Sequence, residues 1–223
     1  MISLRSLHHA ILTIDSFDIP PGITSVIGPN GSGKTTLLKL LTGITLPESG
    51  TVMIDGLPPR DVDVGWVNEF PDRNILFETV ADEVASSLRF HHIACREIDE
   101  RVRRQLDFLH IAYLRYRSIQ EISGGEKILV ALAAALIQNP RVLVLDECDS
   151  HLDAGRAREI EEILKECTTP YIIRCTQQRE SAVRGDHVIY LEDGRVVHQG
   201  TPEEVFSSLA GTAFYPLSMR CGI

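Results

Sequence analysis

Nine residues, Gly28-Pro29-Asn30-Gly31-Ser32-Gly33-Lys34-Thr35-Thr36, confine this chain to a narrow set of folds. They fit the pattern G-x-x-x-x-G-K-[ST], and their surroundings fit it too. Ile23 to Ile27 is a short β-branched run that predicts a buried strand, and Leu37 to Leu41 predicts a helix ending at Gly43. A glycine-rich loop between strand and helix can wrap tightly enough to point its backbone N–H groups at phosphate oxygens. The following helix adds the positive end of its dipole. Lys34 can reach the β- and γ-phosphates of a nucleotide as a point charge, and the Thr35 hydroxyl can ligate Mg²⁺.

Two further stretches carry chemistry. Arg141 to Leu145 is a continuous leucine and β-branched run closing on Asp146 and Glu147, which predicts a strand of a parallel sheet buried on both faces. Ligands bind at the carboxyl ends of such strands, so Asp146 is placed to hold Mg²⁺ and Glu147 to polarise an attacking water. Ile122-Ser123-Gly124-Gly125-Glu126 precedes the apolar run Ile128 to Ile137. Ser123 predicts a helix N-cap, with Glu126 completing a capping box. Two glycines inside a helix start each cost about 1 kcal/mol relative to alanine. Close approach of a phosphate to bare N–H groups supplies a reason for them.

The rest of the chain frames these motifs. Ile2 to Leu7 and Ala10 to Ile19 predict antiparallel strands, with His8-His9 between them and a turn at Pro20-Pro21-Gly22. Either imidazole can stack on adenine, or the pair is a solvated hairpin tip. Thr51 to Ile54 and Val62 to Val67 predict strands, and Asn68 to Asp72 a loop bearing acids. From Thr79 to about Tyr116 turn residues give way to charges, and Ile98, Val102, Leu106 and Leu109 recur at helical spacing. That predicts a helical lobe inserted into an α/β domain. His91, His92 and Cys95 lack a further ligand and read as a polar helix face. Helix Ala154 to Glu166, strand Tyr171 to Thr176, a short helix opening at Gln177-Gln178, a hairpin over His187 to Val197 and a helix capped by Thr201 follow. No function is assigned to residues 210–223.

Whole-chain properties set the class. At 223 residues, 43% hydrophobic and 24% charged, the chain can bury a full core as one domain. Its net charge of −9 argues against a general nucleic-acid binder. Cys95, Cys148, Cys167, Cys175 and Cys221 are scattered and odd in number, suggesting neither a disulfide framework nor a zinc site. The N-terminus lacks a signal-peptide layout, and the longest apolar run is about half of a bilayer span. The expected location is cytoplasmic, with any membrane attachment made through a partner.

Taken together, residues 2 to about 209 resemble an ATP-binding cassette (ABC) ATPase. Gly28 to Thr36 resembles its Walker A, Ile122 to Glu126 its signature LSGGQ, Leu143 to Asp146 with Glu147 its Walker B and catalytic glutamate, and Ser150-His151-Leu152-Asp153 its D-loop. Val64-Gly65, Val67, Pro71-Asp72, Thr79-Val80, Glu83-Val84 and the C-terminal Leu191 to Val197 and Gly200 to Val205 are similar to energy-coupling-factor and cobalt-type import ATPases.

The resemblance implies an α/β P-loop NTPase core with a parallel sheet, an N-terminal antiparallel β subdomain and an inserted helical lobe. Within one domain of 1–223, about 1–75 and 140–209 form the core and β parts, about 76–139 the helical lobe, and 210–223 a tail. It also implies ATP with Mg²⁺, a second ABC ATPase chain docked head to tail, and a transmembrane permease subunit at the inner face of the membrane. Each ATP then lies between one chain's Gly28–Thr36 and the other's Ser123, Gly124, Gly125, Glu126 and Asp153. Thr35, Asp146 and Glu69 are the expected metal ligands, and Lys34, Glu147 and Gln177 the catalytic set. Two positions depart from the family pattern. Glu69 stands where a glutamine is usual and adds charge beside Asp146 and Glu147. Gln177 stands where a histidine is usual and cannot take up or deliver a proton. The implied activity is ATP hydrolysis driving import, and the Gln177 departure predicts that this chain's own site turns over slowly. The alternatives are a regulatory nucleotide-binding subunit and a soluble ABC ATPase outside transport. For docking, the loop of Phe70, Pro71 and Ile75 to Phe77 is either a partner socket or packing for the helical lobe.

Overall fold

The computed structural model describes residues 1–71, 74–89, 93–150 and 152–219; Asp72, His91, His92 and His151 therefore lie outside the described residues. Its centre is a six-stranded sheet in the order β5-β6-β7-β3-β8-β9: Val64–Val67, Val142–Asp146, Tyr171–Cys175, Gly22–Ile27, His187–Glu192 and Arg195–Gly200. The first five strands run parallel, and β9 returns antiparallel to β8. A second, antiparallel sheet is ordered β2-β1-β4, from Leu12–Ile19, Ile2–His9 and Ser49–Ile54.

Alternation along β6 shows why the sequence reads as a strand covered twice. Leu143 and Leu145 enter one core with the helices, whereas Val142 and Val144 enter another beneath the antiparallel sheet. The first core gathers α2 (Val80–Arg89), α3 (Cys95–Phe108), α4 (Gly124–Leu136) and α5 (Ala154–Glu166). Helices α2, α3 and α4 all lie in the chain between β5 and β6. The second core contains α1 (Lys34–Leu41), wedged between the two sheets. A third, smaller core joins α6 (Arg179–Val183), α7 (Pro202–Ser208) and the segment at Phe214 and Tyr215.

Local chemistry sets the element ends with a few shifts from expectation. The phosphate-loop helix begins at Lys34 rather than Leu37, because Gly33 in the left-handed region serves as its N-cap. His8 and His9 are the last residues of β1, paired with Thr13 and Leu12, so the hairpin tip is Ala10-Ile11. Gln178 caps α6, whose first residue is Arg179. The expected capping box of Ser123 with Glu126 forms on α4, and the Thr201 cap of α7 turns out to be a second one, closed by Glu204.

Candidate active site

The phosphate loop closes at the carboxyl end of β3, where three of its glycines adopt positive φ: Gly28, Gly31 and Gly33. At Gly28 the requirement is steric as well, since a Cβ there would stand 1.9 Å from the Leu191 carbonyl oxygen. Lys34 is 6% exposed and folds back over the loop, its Nζ donating to the carbonyls of Gly28 and Pro29 at 3.0 Å each. Ser32 is 3% exposed and its hydroxyl has no partner among the described residues. A buried donor aimed at nothing, beside a curled run of N–H groups and an ammonium, fits a phosphate chain.

Parallel pairing brings the ends of β6 and β7 to this loop. Thr35 Oγ1 donates to Asp146 Oδ1 at 3.3 Å. Burial raises the Asp146 carboxyl above its ordinary value; the Thr35 hydrogen bond opposes this, and Glu147 and Glu69 add to it. An acid held so, next to a hydroxyl and a second carboxylate, fits a hard divalent cation with oxygen ligands. Among the described residues no group of three or more His, Cys, Asp or Glu side chains could hold a metal, so such a cation would depend on the Thr35 hydroxyl and on phosphate oxygens as well.

Glu147 takes a left-handed backbone (φ 52°), and its N–H donates to the Cys175 carbonyl at 3.0 Å. Gln177 Nε2 donates to Glu147 Oε2 at 2.8 Å and to Asn30 Oδ1 at 3.4 Å, bridging the carboxylate and the phosphate loop. The loop carrying Gln177 is fixed from both sides. Buried Thr176 donates to Asp149 Oδ2 at 2.8 Å, and Gln178 Nε2 donates to the Asp149 carbonyl at 2.7 Å. These groups surround an open cleft of about 490 Å³ that Lys34, Thr35, Thr36, Glu69, Glu147 and Gln177 help to line. Ile11, at the tip of the first hairpin, lines it as well. Sequence reasoning placed no weight on Ile11, Thr176 or Gln178; only chain pairing across distant segments reveals them. His8 and His9 do not line the cleft: their imidazoles stand 3.8 and 3.6 Å from the Glu48 carboxylate.

Ser123, Gly124, Gly125, Glu126 and Asp153 are likewise absent from the cleft. Ser123 caps α4, while Asp153 caps α5 through the N–H groups of Gly155 and Arg156 at 2.9 Å. The two caps are neighbours: a Cβ at Gly125 would stand 3.5 Å from Arg156 Cγ and 3.6 Å from Leu152 Cδ2. One molecule thus carries a phosphate cleft on one side and a glycine-bearing helix start apart from it.

Comparison with known proteins agrees with this layout. The family described as ABC transporter matches residues 12–150. The energy-coupling factor transporter ATP-binding protein EcfA1 of Latilactobacillus sakei subsp. sakei is 37% identical over 193 residues, covering 82% of this chain and 69% of that protein. Its counterpart in Lacticaseibacillus paracasei is 35% identical over 207 residues, covering 88% and 74%. Among solved structures, cbiO1 from Clostridium perfringens, part of the ABC transporter complex cbiONQ, superposes with a TM-score of 0.85 at 28% identity, covering 92% of this chain and 90% of that one. The ADP- and Pi-bound dimer of the ATP-binding cassette MJ0796 superposes at 0.79 with 24% identity, covering 91% and 99%, which supports the fold.

Proposed function

This chain belongs to the ABC transporter family of ATPases, and from that premise we propose that it powers an importer of the energy-coupling-factor or cobalt type. The observation that carries the reading is the cleft lined by Lys34, Thr35, Glu147 and Gln177, with Asp146 hydrogen-bonded to the Thr35 hydroxyl beside it. The names of its relatives supply the transport class.

The residues divide the work by chemistry. N–H groups from Gly28 to Thr36, the Ser32 hydroxyl and Lys34 bind the triphosphate; Lys34 exchanges its two carbonyl partners for phosphate oxygens. Thr35, Asp146 and Glu69 would hold Mg²⁺, which supplies charge neutralisation on the phosphates. Glu147 orients and polarises the attacking water. Gln177 donates a hydrogen bond and keeps the Glu147 carboxylate in place, but it cannot shuttle a proton. Ser123 and the N–H of Gly125 complete the nucleotide site of a second cassette docked head to tail, as Asp153 does at its edge. ATP then joins two cassettes, and cleavage removes the charge that holds them together.

Because proton transfer typically contributes about 10²- to 10⁴-fold, turnover at this chain's own cleft is slow. Steady-state ATPase of the purified chain tests this, alone and as Gln177→His. A slow parent with at least roughly tenfold gain from histidine is expected. Fast turnover by the parent with no gain overturns the assignment of Gln177.

Attachment to a membrane partner follows the groove of about 290 Å³ beside edge strand β5, where α2, α4, Pro71 and Ile75 meet. Glu83 pins the 75–77 loop there, accepting from the N–H groups of Leu76 and Phe77 at 2.9 and 3.0 Å. Ile75 packs on the helical core, whereas Phe70 is 38% and Leu76 79% exposed. Ile75 thus serves the helical packing, and the exposed Phe70 and Leu76 support the docking reading of this loop. No helix among the described residues is long and apolar enough to cross a membrane.

A further inference from the structure

The turn that caps α4 carries an acid that occupies the only proton of its serine hydroxyl. Glu126 Oε2 accepts from the Ser123 N–H at 2.8 Å and from the Ser123 hydroxyl at 2.7 Å. Glu126 Oε1 accepts from the Tyr113 hydroxyl at 2.8 Å. The Ser123 Oγ in turn accepts from the Glu126 N–H at 3.3 Å. A hydroxyl has one proton, and here that proton is committed to the carboxylate. What Ser123 offers outward is a lone pair, backed by a full negative charge one residue-width behind it. Neither suits the phosphate of another molecule's nucleotide.

The arrangement is stable in its ionised form. The Ser123 N–H, then its hydroxyl, the Tyr113 hydroxyl and the Arg156 charge together hold the Glu126 carboxyl below the ordinary carboxylate range, against the opposing effect of burial. Arg156 offsets the charge only in part, because its guanidinium donates to Glu159 at 2.7 Å.

We infer that Glu126 is a negative regulator of cassette pairing: by holding the Ser123 proton and adding charge at the turn, it weakens the nucleotide site this chain completes for another. This rests on the proposed head-to-tail function and deepens it, naming the residue that sets how tightly the pair closes. An amide at the same position would keep the capping geometry while removing the charge. It would also accept the hydroxyl less strongly, freeing Ser123 to turn its proton toward phosphate.

The test is self-association with ATP and Mg²⁺ in the Glu147→Gln background, measured by sedimentation for the parent, Glu126→Gln and Glu126→Asp. The Glu126→Gln chain should associate roughly tenfold or more tightly than the parent, with a shallower salt dependence, and the charge-retaining Glu126→Asp chain should not. Thermal melts of each variant report whether the α4 cap survives. Equal ATP-driven association in parent and Glu126→Gln overturns the inference and leaves the proposed function standing. No ATP-driven association in any of the three, with nucleotide still bound, overturns both.

Discussion

Burial holds the Asp146 carboxyl above the ordinary carboxylate range, so this residue works against the fold at neutral pH. The sign follows from linkage. A raised acid binds a proton more readily in the folded chain, and nucleotide-free stability should rise as pH falls through that raised value. Asp146→Asn removes the buried charge. It should melt higher than the parent without nucleotide and lose the acid-dependent gain, while its ATPase falls by about 10²-fold or more. Differential scanning calorimetry at neutral and mildly acidic pH checks the first part; an Asn variant less stable than the parent would contradict it. Asp146 and Glu147 were legible in the sequence because a strand covered on both faces ends in two acids. Ser32 was legible only as part of a pattern: that its hydroxyl is buried without a partner among the described residues depends on segments remote in sequence, such as the Gly194 N–H that donates to the Ser32 carbonyl at 3.1 Å, which no local spacing encodes.

Between elements, the buried pair of Arg174 on β7 and Glu161 on α5 was invisible to pattern reading, because one position looks like any strand residue and the other like a helix surface. Their side chains are 4% and 8% exposed, and Arg174 also donates to Ser25 Oγ on β3 at 2.9 Å and to the Ser181 carbonyl on α6. Four elements under the catalytic loops therefore share one guanidinium. Arg174→Met alone should cost about 3–5 kcal/mol, since it strands a buried carboxylate, whereas Arg174→Met with Glu161→Leu should recover much of that. Denaturant midpoints of the two singles and the double measure it, and additive losses would contradict it. Element type was read well where periodicity was strong, as in α5 and the hairpin of β8 and β9. It slipped at the starts of α1 and α6, where a left-handed glycine and a glutamine cap moved the boundary.

At the scale of the whole molecule, an exposed apolar loop beside β5 and a helix start set apart from the nucleotide cleft are the two surfaces that the proposed function assigns to partners. Phe70→Asp places a charge on the first of them and should reduce co-purification of a detergent-solubilised membrane partner at least tenfold, without altering the melting temperature. A partner retained at the parental level contradicts the docking reading. The family resemblance made both surfaces nameable and assigned Ser123 and Glu126 to a second chain's nucleotide, and both do lie outside this chain's own cleft. That separation follows from β5, α4 and β6 packing side by side, and it is the gap that the proposed head-to-tail pairing would bridge. Sedimentation of the Glu147→Gln chain with and without ATP therefore tests the account at its centre. Two-chain species that appear with ATP, vanish with ADP and never form when Lys34→Ala is added are the predicted result; a chain that binds ATP yet stays single, alone or mixed with a partner cassette, would contradict it.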